Sequence, residues 1–184
     1  RFDDFKWDHQ FDVITLIGVL EYANLFTSGE DPALGMLQRV KALLKPNGKL
    51  IMAIENQSGL KYFTGAPEDH IGQAMYGLEG RYRNDQPHTY GRKVLTEMLT
   101  QAGFAQSEFM APFPDYKLPA SIVTERGFYY EGFDASALAW QSVKRDPQLP
   151  PLLAISPELV WPVLVQNGVA LDLANSFLIV AGVS

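Results

Sequence analysis

The sequence predicts an α/β fold in which parallel strands are joined by a helix. Three observations lead there. Residues 13–17, Val-Ile-Thr-Leu-Ile, form an almost unbroken β-branched run of the kind seen in strands covered on both faces. Residues 49–54 read as a second strand, and between the two runs Ala33, Leu37, Val40 and Leu44 recur at helical spacing. Strand, helix, strand is the crossover by which parallel neighbours connect.

Taken in order, residues 1–10 mix Asp3, Asp4, Lys6 and Asp8 with Phe2, Phe5 and Trp7, and read as a loop whose aromatics pin it to the core. The opening strand then runs into Gly18. Asp31-Pro32 starts the helix, with Asp as N-cap and Pro at the first helical position. Pro46-Asn47-Gly48 stops it and turns the chain into the second strand. Residues 55–90 lose periodicity and gain glycine, aromatics and mixed charge, a pattern typical of functional loops. Helical spacing returns over 91–102 through Val94, Leu95, Met98 and Leu99, with Gly103 as its C-terminal cap. Residues 106–111 form a short strand ended by Pro112 and Pro114, which suit a sheet edge. A helix over 134–145, a linker turn at 148–151 and a helix opening at 156–158 follow. Pro162 should kink or shorten that last helix by removing a hydrogen bond. Residues 176–183 close the chain as a strand.

Composition narrows the functions. A chain of 184 residues, 47% of them apolar, supports one real core and is too short for two ordinary domains. An excess of 21 acidic over 15 basic residues repels a nucleic-acid backbone. Without cysteine there is no disulfide framework, zinc ribbon or thiolate nucleophile. No apolar run reaches the length of a membrane span, and no signal-like segment opens the chain, so the default location is cytoplasmic. The first residue is Arg1 rather than Met, so a targeting segment can have been removed.

Phe11-Asp12, an apolar strand and Val19-Leu20-Glu21-Tyr22, followed by Leu44-Lys45-Pro46-Asn47-Gly48-Lys49-Leu50-Ile51, resemble the fourth and fifth strands of class I S-adenosylmethionine-dependent methyltransferases. Glu55-Asn56-Gln57-Ser58-Gly59-Leu60-Lys61-Tyr62-Phe63 and Gly65-Ala66-Pro67-Glu68-Asp69-His70 resemble, more narrowly, methyltransferase domains beside glycosyltransferases in bacterial surface-polysaccharide proteins. The resemblance covers roughly the first two-thirds of the chain. It implies a partial Rossmann-like sheet, strands four to seven, with a helical insertion before the last strand. Residues 1–184 would be the C-terminal half of one domain, with 57–90 as acceptor-site loop and 116–172 as the insertion. The family's glycine-rich loop and acidic strand end, which hold most of the cofactor, have no counterpart here. The resemblance therefore implies a fragment inactive by itself, whose partner is the remainder of its own polypeptide. An opening strand left without its neighbour exposes an edge, which either self-associates or is covered by rearranged local segments.

The site candidates follow from strand ends, because open α/β sheets bind ligands beyond the carboxyl ends of their strands. Gly18, Val19, Leu20 and Glu21 are the cofactor-binding candidates. A carbonyl near Gly18 can accept from the cofactor's amino group and Glu21 can orient it; equally, Gly18 can be a turn and Glu21 a solvated loop residue. Glu55 and Asn56 either position an acceptor or cap the strand. Glu68, Asp69 and His70 form the catalytic candidate, with His70 as the base for a sugar hydroxyl; the competing role is a structural pair. No metal is expected, because adjacent residues rarely converge on one ion. Tyr62, His88 and Tyr90, with Arg81, Arg83, Arg92 and Lys93 near in sequence, suit a sugar ring carrying phosphate or carboxylate, or else a self-packed loop.

The activity implied is S-adenosyl-L-methionine-dependent O-methylation of a saccharide or saccharide-linked acceptor. The alternative is a non-catalytic module of a glycosyltransferase-type protein that binds a glycan or another part of its parent. A nicotinamide-dependent oxidoreductase half fits less well, because the sequence has no glycine-rich fingerprint and no tyrosine-lysine pair at a suitable spacing.

Overall fold

The computed structural model describes residues 4–144 and 146–184. Its strands are β1 (Phe11–Ile17), β2 (Leu44–Glu55), β3 (Gln106–Phe113), β4 (Ser121–Thr124) and β5 (Ser176–Gly182). They form one mixed sheet in the order β1-β2-β5-β3-β4. The helices are α1 (Ala23–Phe26), α2 (Pro32–Leu43), α3 (Leu60–Phe63), α4 (Arg92–Gln101), α5 (Glu125–Phe128), α6 (Ala135–Val143) and α7 (Pro157–Gln166). The fold is α/β, as the strand-helix-strand pattern predicts. Among the described residues no helix is long and apolar enough to cross a membrane.

β1 and β2 are parallel, with Val13 opposite Lys49 and Ile17 opposite Ala53. β3 and β4 are antiparallel, with Met110 opposite Thr124 and Phe113 opposite Ser121. The bonds flanking β5 run from Asn56 N to Asn175 O at one end and from Val183 N to Gly48 O at the other, so β5 is antiparallel to β2.

The chain divides into two units. The first comprises residues 4–54, 82–108 and 179–184. Its core is built on β2, where Leu50, Met52 and Ile54 are fully buried, and on α2, which buries Ala33, Met36, Leu37 and Val40. Asp31 caps α2 through a 3.0 Å bond from Leu34 N to its Oδ1. α4 buries Leu95, Met98 and Leu99, and leaves Val94 exposed. Gly103 closes it with φ +93°, a left-handed residue that lets Phe104 N reach Leu99 O at 3.0 Å.

The second unit comprises residues 55–81 and 109–178. Phe113, Phe128 and Trp161 form its aromatic centre, the Phe113 ring lying 5.5 Å from Trp161 and 6.2 Å from Phe128, both edge-on. Asp134 caps α6 by accepting from Ala137 N at 2.9 Å.

Several local expectations change. β1 is not covered on both faces: Leu16 is buried, while Val13 and Ile17 are each 50% exposed. It stands at the sheet edge, and a β-branched run reports strand propensity without reporting how many layers cover it. Pro46-Asn47-Gly48 does not end the helix ahead of a later strand, because β2 already begins at Leu44. The turn residues are looped out within it: β1 advances from Phe11 to Val13 while β2 advances from Leu44 to Lys49.

β3 is not an edge strand. It lies between β5 and β4, and Pro112 is tolerated within it opposite Ile122. The edge is β4, four residues that lie in the stretch expected as a helical insertion; residues 116–172 thus hold β4 as well as α5, α6 and α7. α7 continues through Pro162, which forfeits a single backbone donor while buried Trp161 and Leu164 hold the helix in place. The expected end of the 134–145 helix at Arg145 lies outside the described residues, as do Phe2 and Asp3. Phe5 and Trp7 are exposed and stack on one another at 6.2 Å, so they do not pin residues 4–10 to the core.

Candidate functional site

In the first unit the site grows from the tip of β1. Gly18 has φ +62°, and its N–H is bonded to Ala53 O at 2.9 Å, which turns the chain off the sheet. Val19 is exposed at that turn, and Leu20–Tyr22 closes one 3-10 turn in which Leu20 and Glu21 are buried. Glu21 is therefore not a solvated loop residue.

The Glu21 carbonyl accepts from His88 N at 2.8 Å, which draws residues 82–90 against the strand tip. There three rings form a ladder: Tyr82 and His88 at 4.4 Å, His88 and Tyr90 at 4.7 Å and 14°. The Tyr82 hydroxyl and Thr89 Oγ1 are 2.6 Å apart. His88 and Tyr90 open onto a cavity of about 480 Å³ with Asn24, Ser28, Asp31 and Asn84. Burial pushes the Tyr90 phenol up to about 12, and the Asp31 and Glu21 charges add to the shift.

Three of the four basic residues expected to meet an anionic sugar are paired with carboxylates. Arg81 Nε is 2.9 Å from Glu79, Arg83 Nε 3.1 Å from Asp85, and Lys93 Nζ 3.9 Å from Glu97. The charged residues lining this cavity are Glu30 and Asp31. A carboxylate-lined wall disfavours phosphate or carboxylate on the acceptor, which corrects that part of the expectation.

The second unit holds a buried ionic network. Lys61 Nζ lies 3.1 Å from Glu55 Oε2, 2.9 Å from Asp69 Oδ2, 3.6 Å from Asp115 Oδ2 and 2.8 Å from Gln148 Oε1. Lys117, half exposed, bonds Glu55 Oε1 and lies 3.2 Å from Asp69 Oδ1. The Tyr62 hydroxyl bonds Asp69 Oδ2, and Gln148 Nε2 donates to Asp69 Oδ1 at 2.6 Å. Burial pushes Glu55 up to about 8 against the opposing charge of Lys61, with Asp115 and Asp69 adding to the rise. Burial also works to raise Asp69, but Lys61, the Tyr62 hydroxyl and Lys117 outweigh it and hold that carboxyl well below its usual range. Burial raises the Tyr62 phenol, and the Asp69 charge adds to it.

The expected triplet is thus divided. Asp69 belongs to the Lys61 network, while Glu68 faces His70: Oε1 lies 3.1 Å from His70 Nδ1, and Oε2 accepts from His70 N at 2.8 Å and Ile71 N at 2.6 Å. These bonds outweigh burial and keep the Glu68 carboxyl below its ordinary value. The three consecutive polar residues therefore take separate partners and do not act as one group.

Glu55 and Asn56 diverge in the same way. Asn56 Nδ2 donates to Asp172 O at 2.8 Å and Ala174 O at 2.7 Å, and its Oδ1 accepts from Ser58 N at 3.0 Å. Its amide is committed to backbone, so the structure assigns it the capping role. Tyr62 and Glu55 are buried, which removes both from contact with an acceptor's ring. The sequence pattern marks none of Lys61, Asp115, Lys117 and Gln148 as a site residue. The available signal is Lys61 itself, a lone charge within Leu60-Lys61-Tyr62-Phe63. Among the described residues no three histidine, aspartate or glutamate side chains group to hold a metal ion.

No family model and no curated protein matches the chain. Solved structures do. One is a SAM-dependent methyltransferase from Thermotoga maritima, with 12% identity, 96% of this chain and 57% of that one covered, and a TM-score of 0.47. Another is phosphoethanolamine N-methyltransferase 2 of Haemonchus contortus in complex with S-adenosyl-L-methionine, with 12% identity, 99% and 35% covered, and a TM-score of 0.45. The chain thus spans 57% of the first and 35% of the second.

Proposed function

We propose that the chain forms part of an S-adenosyl-L-methionine-dependent methyltransferase that O-methylates a saccharide or saccharide-linked acceptor, in a cytoplasmic setting. The observation that carries this reading is the bond from His88 N to Glu21 O, which ties the turn after β1 to a ladder of three rings. Sugar rings stack on such faces, and Asn24, Ser28, Asp31 and Asn84 supply the hydrogen-bonding groups that hydroxyls require.

Gly18 and Val19 fit the cofactor's edge. The N–H of Gly18 is taken by Ala53 and its φ is left-handed, and we assign its carbonyl as the group that accepts from an amino donor. Glu21, being buried, holds the turn and the ladder rather than meeting the ligand directly. When bound, S-adenosylmethionine supplies an electrophilic methyl group for in-line displacement. His70, in the second unit, is proposed as the base on its own chemistry: Glu68 lies 3.1 Å from its Nδ1 and favours the tautomer in which Nε2 carries no proton.

The family's glycine-rich loop and acidic strand end are not among these residues, so the same reading gives the rest of the cofactor contacts to other parts of the polypeptide. It also gives the open side of β1 to that remainder or to a second copy, in keeping with half-exposed Val13 and Ile17. The test is methyl transfer from labelled S-adenosylmethionine to a saccharide panel by the longer polypeptide. Product is expected there and is lost in His70→Gln, while the 184-residue chain alone neither turns over nor binds the cofactor tightly. Tight calorimetric binding by the chain alone would overturn the fragment reading, and absence of any transfer would leave the non-catalytic binding module.

A further inference from the structure

The second unit contains a cavity that the methyl-transfer reading does not use. It measures about 300 Å³, and Pro114, Leu118, Ala120 and Pro147 give it apolar walls. Asp115 and Asp146 line it together with Lys117 and Gln148. Both aspartates are more than nine-tenths buried, at 7% and 6% exposure.

Each aspartate is half satisfied. Asp115 Oδ1 accepts from Lys117 N at 2.8 Å, and Asp146 Oδ1 accepts from Gln148 N at 2.9 Å. The Oδ2 atoms of both are buried without a hydrogen-bond partner among the described residues; that of Asp115 has only the ion pair with Lys61 at 3.6 Å. Leaving a buried carboxylate oxygen without a donor is costly, and two such residues lining one cavity mark an incomplete arrangement.

The charges around the cavity point to what is absent. Among the described residues Glu55, Asp69, Asp115 and Asp146 stand against Lys61 and Lys117. Four carboxyl groups there face two ammonium groups, an acidic surplus that favours a cation over an anion. A bare metal ion would require more oxygen ligands than two aspartates supply. An ammonium group supplies donors instead, and the apolar walls suit a short hydrocarbon body.

We propose that this cavity binds a small organic monocation, an alkylammonium-type ligand whose N–H groups donate to Asp115 and Asp146 and whose apolar body packs on Leu118 and Pro147. The site stands independently of the methyl-transfer assignment. The competing occupant is a proton on Asp146.

The test is calorimetric titration of the 184-residue chain at about pH 7 with butylammonium chloride, against 1-butanol, sodium butyrate and potassium chloride at matched ionic strength. Saturable binding is expected for butylammonium alone, weakened at least tenfold in Asp146→Asn and in Asp115→Asn. Absence of saturable binding, equal binding of butanol, or undiminished affinity in both variants overturns the proposal and leaves the proton as occupant. Should either variant fail to fold, amide shifts on titrating the wild-type chain decide: shifts centred on Leu118 and Gln148 support the site, and shifts elsewhere overturn it.

Discussion

Lys61 Nζ lies 3.1 Å from Glu55 Oε2, and neither side chain is exposed to solvent. A buried ion pair is weak evidence for net stability, because removing two charges from water costs about as much as their attraction returns. Breaking one side is another matter. Lys61 also faces Asp69 and Asp115, so Lys61→Met leaves three carboxyl groups around one apolar side chain. We expect a loss of about 3–5 kcal/mol in urea denaturation. Adding Glu55→Gln to that variant should recover part of it. A single-variant loss below about 1 kcal/mol would mean that the network is not closed as described.

Stability should fall as pH rises from about 4.5 to about 8. The native Glu55 carboxyl titrates at about 8, above its unfolded value of 4.5, so between those values the native chain keeps a proton that the unfolded chain releases. The pair therefore loses stability across that window, by up to about 1.4 kcal/mol per pH unit. Asp146, also raised by burial, acts in the same direction. Asp69 has the opposite sign: its depressed value contributes stability above its unfolded 3.8, and that contribution disappears as pH falls further. Melting temperatures should thus be higher at about pH 5.5 than at about pH 8.5, and Glu55→Gln should flatten the decline between them. An unchanged slope in Glu55→Gln would place the titrating group elsewhere.

Asn56→Ala removes both amide donors that bind Asp172 O and Ala174 O, and the acceptor used by Ser58 N. Ala174 O is buried with them, so the cost includes groups left unsatisfied rather than the bonds alone. We expect about 2–4 kcal/mol in chemical denaturation. Asn56→Asp should be no better, because a carboxylate cannot donate to two carbonyls. Retained stability in either variant would return Asn56 to the list of ligand-facing residues.

The sequence disclosed the elements whose signal is local. Asp31 and Pro32 mark the start of α2, Gly103 the end of α4, and Asp134 the start of α6, because each cap is made within a few residues. What it concealed is long-range. The four residues of β4 acquire meaning only when β3 lies beside them, and the half-open face of β1 depends on its position in the sheet order. The site divides along the same line. The tip of β1 was readable because Gly18 and Glu21 follow a strand directly. Lys61 meets Gln148 across 87 positions and Glu55 meets Lys117 across 62, and no spacing rule links residues so far apart.

Gly18→Ala tests the strand tip by itself. A φ of +62° costs an alanine about 1 kcal/mol through contact of Cβ with the adjoining carbonyl, and that is the stability loss expected in denaturation. The functional loss should be larger. Gly18 N is bonded to Ala53 O, and Glu21, three residues on, holds His88 through its carbonyl, so any relaxation of φ shifts the turn that carries the ring ladder. Under the methyl-transfer assignment, transfer by the longer polypeptide should fall at least tenfold, mostly through weaker cofactor binding. Val94→Ala, an exposed position on α4, is the control and should leave both quantities unchanged. If Gly18→Ala lowers stability while transfer stays at the wild-type rate, the strand tip does not border the cofactor.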